Sequence, residues 1–193
     1  MDPYELLNGV GNLYVADVGT EFPALDAEPG AEWRNLGDTM DGVTVTGDQK
    51  IDEHRVDQET GPVKATRSEE NLIIGTTLAE ATLENLADVV GGVVEDTAAT
   101  ASAIGTREVP LYRGSSVKTF AFLFRNPKGS PYGEFPAQYE LPVGYFGGSF
   151  ELKHTKEGLV GIGVEFHALV DPLAASATEK FGRLIAQDSE ITA

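Results

Sequence analysis

The sequence has no cysteine. That excludes disulfides, thiolate nucleophiles and Cys-based metal sites, and leaves the redox compartment open. Cations are scarce: 14 Lys and Arg stand against 31 Asp and Glu, a formal net charge of −17. Phosphate binding requires Lys and Arg to displace counterions, so conventional DNA or RNA binding and adsorption to anionic membranes are both disfavoured. Long apolar runs are missing. The longest, such as LVGIGV at 159–164, are far too short to span a bilayer. The opening MDPYELLNGVG has no basic segment followed by an apolar one, so no signal peptide is expected. Aromatics make up 8% and do not cluster as a sugar platform requires.

Catalytic signatures are missing too. The histidines are His54, His154 and His167, and no two have H-x-x-x-H spacing. Asp52-Glu53-His54 is a cluster of possible ligands, but its surroundings lack the alternation and central Gly of a calcium loop. There is no G-x-S-x-G elbow, P-loop or zinc motif. Gly9-Val10-Gly11 lacks the third glycine of a dinucleotide fingerprint, and Gly161-Ile162-Gly163 falls inside a strand pattern. Carboxylates are so abundant that no glycosidase pair stands out. The expectation is no catalytic residue, no metal site and no cofactor.

What is present is a lopsided charge and a β-rich pattern. Residues 1–100 hold 21 acids and 5 bases, net −16, whereas residues 101–193 hold 10 and 9, net −1. NLYVADV (12–18), WRNLG (33–37), GVTVTGDQ (42–49), VKATRSEENLIIGTT (63–77), VKTFAFLFRN (117–126) and KFGRLIAQ (180–187) read as strands. In the third of these, Val43 and Val45 occupy one face and Thr44, Thr46 and Asp48 the other. Residues 145–172 read as a hairpin turning at Lys156-Glu157-Gly158. One amphipathic helix is expected over about 78–90, opened by a Thr77/Glu80 capping box and stopped by Gly91-Gly92. Residues 93–106 are Ala/Thr-rich and read as an irregular excursion. The length suits a single domain, 1–193.

The order of parts resembles the tail tube (major tail) proteins of long-tailed bacteriophages. LYVADVGTEFP, then EWRNLGDTMDGVTVTGDQKIDEHRVDQ, then GPVKATRSEENLIIGTTLAEATLENLADVVGG carry the likeness, with Val170-Asp171-Pro172 and Phe181-Gly182-Arg183 closing it. The resemblance implies a β-sandwich or barrel-like core with one packed helix, and long strands that join those of neighbours in an inner β-barrel. It implies a structural virion protein, not an enzyme. Hexameric rings would stack into a tube, assembled in the host cytoplasm, that encloses the tape measure protein and conducts double-stranded DNA into the host. Tail terminator and distal tail proteins would be further partners, and no membrane. The alternative is another virion or cell-surface β-module, such as a capsid decoration or adhesion domain.

On that reading residues 1–20 form an N-terminal strand or arm and 171–193 a C-terminal segment. Lumen strands are expected at about 42–50, 64–75, 146–156 and 159–169. Lumen-facing candidates are Thr44, Thr46, Asp48, Glu69, Glu70, Glu151, Lys153 and Glu165; the face of β residues 67–71 is undecided between two registers. Residues 47–62 are expected to form a ring-stacking loop, with Lys50, Asp52, Glu53, His54, Arg55, Asp57 and Glu59 as inter-ring contacts. In it Lys50 and Arg55 would pair with carboxylates of the next ring.

Overall fold

The computed structural model describes residues 9–148, 150, 152 and 160–190. In chain order the elements are β1 (Asn12–Ala16), β2 (Arg34–Asn35), β3 (Thr39–His54), β4 (Lys64–Leu78), α1 (Leu83–Val90), β5 (Glu95–Thr97), β6 (Thr106–Glu108), β7 (Phe120–Asn126), β8 (Ala137–Gly147), β9 (Ile162–Ala168) and β10 (Arg183–Ala186). The fold is mainly β. One antiparallel sheet runs β2-β1-β7-β8-β9-β4-β3, with β10 added against β8, and β5 and β6 form a separate pair.

The sheet curls so that strands far apart in its order face one another across the apolar side. β3 is four places from β7 along the sheet, yet Val43 and Val45 line the same cavity as Phe124 and Tyr139. Between them sit Phe122 and Phe166, stacked with centroids 4.4 Å apart, and Phe146 edge-on to Phe166 at 5.5 Å. Leu13, Val15, Ile74, Leu141 and Val164 complete this core. β7 is buried on both faces, as its apolar run FAFLF anticipates. Its second face, Ala121 and Leu123, meets Ala16, Trp33 and Phe22. Arg125 holds the covering 22–33 segment by donating to the carbonyls of Leu25 and Ala27.

One edge of β8 is shared. β10 pairs with residues 137–140 and β9 with residues 144–147. Glu140, only 3% exposed, accepts from Arg183 Nε at 2.8 Å and Gln138 Nε2 at 2.6 Å. Gly182, at φ 105°, lies so close that a Cβ there would meet the Glu140 carbonyl oxygen. The Phe-Gly-Arg segment is therefore a clasp that fixes the C-terminal strand to the sheet.

The helix is shorter than expected. It begins at Leu83, with Thr82 as N-cap accepting from the Asn85 N–H at 3.2 Å. The Thr77/Glu80 box does not form, because β4 pairs with β9 through Leu78 and holds Thr77 in the sheet. A strand ladder with a buried Leu78 outweighs a local cap. The stop is as read: Gly91 adopts φ 72°, and the N–H groups of Gly91 and Gly92 donate to Asp88 and Ala87 carbonyls. Asn85 is buried, bonding the Leu36 and Glu80 carbonyls and accepting from Arg34, which also pairs with Asp88. The expected irregular stretch 93–106 in fact contains β5, and Thr97 pairs with Thr106 at the start of β6.

Candidate functional site

The dominant feature outside the core is a two-stranded ribbon. β3 and β4 pair from Thr39↔Leu78 to His54↔Lys64, with register shifts between Met40 and Val43 and between Lys50 and Ile51. β9 covers β4 only over Ile73–Leu78. Residues 47–54 of β3 and 64–72 of β4 thus extend beyond the sheet with no third strand among the described residues, and nearly all of them are exposed. The expected loop over 47–62 is corrected accordingly: Asp48, Lys50, Asp52, Glu53 and His54 are strand residues, and the turn spans only 55–63. Period-2 alternation fades after Asp48, which hid the continuing strand. The ladder hydrogen bonds depend on backbone, not on apolar side chains.

Register settles which side chains share a face. Thr44, Thr46, Asp48 and Lys50 oppose Gly75, Ile73, Asn71 and Glu69. Gly75 and Ile73 in turn oppose Glu165 and His167 on β9, and His167 opposes Tyr145 on β8. Thr44, Thr46, Asp48, Lys50, Glu69 and Glu165 therefore lie on one wall, opposite the face of Val43 and Val45. Glu70 opposes Gln49 and lies on the other face, so it cannot share that wall. Thr44, Thr46, Ile73 and Glu165 line a shallow depression of about 520 Å³. His167 stacks on Tyr145 at 5.3 Å, with Nε2 3.5 Å from a Glu165 oxygen. Glu151, Lys153 and the expected turn at Lys156-Glu157-Gly158 lie outside the described residues, as does most of the expected strand 146–156 beyond the end of β8 at Gly147.

Three of the ribbon's cations are engaged within the chain. Lys50 Nζ is 3.3 Å from Glu69, Arg67 bonds Gln49 at 2.8 Å and Glu70 at 3.5 Å, and Arg55 bonds Glu53 at 3.1 Å and the Thr60 carbonyl at 3.2 Å. His54 Nε2 is 2.9 Å from the Thr66 hydroxyl. Among the described residues Asp52, Asp57 and Glu59 have no ion-pair partner. The ribbon carries seven carboxylates (Asp48, Asp52, Glu53, Asp57, Glu59, Glu69, Glu70) and four cations over 47–72. A register shift between Lys50 and Ile51 bulges β4 at Ser68, whose hydroxyl donates to the Lys50 carbonyl.

No group of three or more His, Asp or Glu is placed to hold a metal among the described residues. Nor is any helix there long and apolar enough to cross a membrane. The arrangement offers backbone edges and charged side chains to another surface.

No curated protein matches the chain. A family model described as phage tail tube protein matches residues 2–179.

Proposed function

The chain belongs to the phage tail tube protein family and is a structural protein of the virion tail that assembles with itself; from this we propose that six copies close into a ring and that rings stack into a tube. The tube encloses the tape measure protein and later conducts double-stranded DNA. Tail terminator and distal tail proteins cap its ends, and assembly takes place in the host cytoplasm. No reaction is catalysed.

The observation that carries this reading is the β3–β4 ribbon. A two-stranded hairpin is marginal in water by itself, and an open, long edge invites pairing with another chain. Among the described residues one edge of β3 has no partner along its whole length, and the edge of β4 away from β3 has none beyond Leu72. Pairing between neighbours removes those edges, which in a closed ring leaves none. The wall of Thr44, Thr46, Asp48, Glu69 and Glu165 then faces the lumen. Carboxylates there hold phosphates off the surface, and the one Lys that the register puts on this wall, Lys50, is paired with Glu69 instead of being free for a phosphate contact. With a Debye length near 8 Å at about 0.15 M salt, the repulsion acts close to the wall and leaves the axis open.

The turn at 55–63 reaches the adjacent ring as a stacking element, with Lys50, Asp52, Glu53, His54, Arg55, Asp57 and Glu59 at or near the contact. Negative-stain electron microscopy of purified protein is the test, and rings and tubes are the expected outcome. A protein that stays monomeric at high concentration across all salt conditions sinks the proposal. Arg55→Glu breaks the bonds to Glu53 and Thr60 that shape the turn, and is expected to shorten tubes while the monomer stays folded.

A further inference from the structure

The excursion between α1 and β7 is the other anomalous surface. Residues 93–118 expose Val93, Ile104, Leu111, Tyr112 and Val117, with Tyr112 at 90% and Ile104 at 82% exposure. Solvent alone does not favour so many large apolar side chains in one segment. Its charge is also out of character. Over 93–118 the carboxylates of Glu95, Asp96 and Glu108 balance Arg107, Arg113 and Lys118, so the segment is neutral in a chain of net charge −17, and its only charges after Glu108 are the cations Arg113 and Lys118. The segment is anchored. Arg107 bonds Asp96 at 2.5 Å and Glu84 at 2.6 Å, Lys118 reaches Asp88, and Arg113 donates to the Gly148 carbonyl over the Phe150 ring.

Those anchors fix its location. Gly147 lies level with Glu165, Gly75 and Thr44 across the sheet, and α1 follows the end of β4 at Leu78. The excursion therefore sits at the end of the sheet from which the ribbon points away. From Thr44 to His54 the ribbon extends by up to roughly 33 Å at about 3.3 Å per residue. Within one chain the ribbon turn and the excursion lie at opposite ends.

We propose that the excursion is the seat for the ribbon turn of a second copy of this chain, in the next ring. The two surfaces are complementary. The ribbon brings Ile51, Val56 and Val63, all exposed, together with the unpaired Asp52, Asp57 and Glu59. The excursion brings apolar Leu111 and Tyr112 beside Arg113, and Tyr and Arg are the side chains most often found as interface anchors. Two different surfaces at opposite ends make a head-to-tail contact, which repeats into an open filament instead of closing as a dimer. This rests on the ring-stacking reading above and names the receiving surface it requires.

The absence of cysteine permits a direct test. Two single-cysteine variants, Asp57→Cys and Tyr112→Cys, are mixed under mild oxidation during assembly. The expected product is the 57–112 disulfide between copies. In parallel, Tyr112→Glu is expected to leave rings and circular dichroism unchanged and to raise the critical concentration for tube growth by about 30-fold, the loss typical of an interface anchor. If Tyr112→Glu forms normal tubes and no 57–112 product appears, while shortening the ribbon still abolishes tubes, the seat is elsewhere and this inference is overturned. If shortening the ribbon leaves tubes unaltered, the stacking reading falls as well.

Discussion

At the scale of single residues, the clasp around Glu140 is the most demanding site. Gly182 combines a left-handed φ of 105° with a close approach to the Glu140 carbonyl. Gly182→Ala is expected to cost about 3 kcal/mol or more, combining backbone strain with displacement of β10. Chemical denaturation of the monomer checks it. Arg183 is held above its ordinary pKa by its hydrogen bond to Glu140, so it stays charged wherever the protein is folded. Glu84 gives a titration that can be read directly. Its own backbone N–H in the first turn of α1, and then Arg107, hold its carboxyl below the ordinary range. A depressed carboxyl contributes stability above its unfolded pKa and loses it as pH falls through the folded value. Carbon-detected NMR titration is expected to place Glu84 low. Arg107→Met is expected to move it only part of the way back, because the larger cause remains.

At the scale of elements, the ribbon and the helix behave in opposite ways. α1 is short, eight residues, and depends on its ends. Thr82→Ala is expected to cost about 1 kcal/mol by removing the N-cap, measured by thermal unfolding. The ribbon beyond residues 47 and 72 contributes little to the core. Replacing its outer part by a two-residue Asn-Gly turn is expected to leave the monomer folded and to abolish tubes. Its amides are expected to exchange quickly in the monomer and slowly after assembly, read by hydrogen-exchange mass spectrometry. The inner half of the ribbon was legible because Val43 and Val45 alternate with Thr44 and Thr46 against a core. The outer half was not, since a strand exposed on both faces has no apolar period to display. The helix start was misread because Thr77 and Glu80 satisfy a local pattern that the distant partner β9 overrides. The faces of Glu69 and Glu70 required the register, which depends on pairing across the hairpin and on the bulge at Ser68. β10 showed in the sequence only as a short apolar run; the buried Glu140 that receives Arg183 lies 43 residues away.

At the scale of the whole molecule, charge opposes association. Copies of net charge −17 repel one another, with a reach of about 30 Å at 0.01 M salt and about 8 Å at 0.15 M. The critical concentration for assembly is expected to fall as salt is raised over that range, followed by light scattering. An unchanged value would mean that the contacts are electrostatically balanced despite the net charge. The junction between ribbon and body adds a mechanical property. Tension applied at the ribbon turn runs along both strands and enters the body through the β4–β9 ladder, whose six residue pairs are spaced along the pull with their hydrogen bonds perpendicular to it. Loaded in this way, the bonds of the ladder share the force together and must yield in concert, not one after another as in a peeled hairpin. A linkage of this geometry is stiff to stretching along the ribbon and compliant to bending across it.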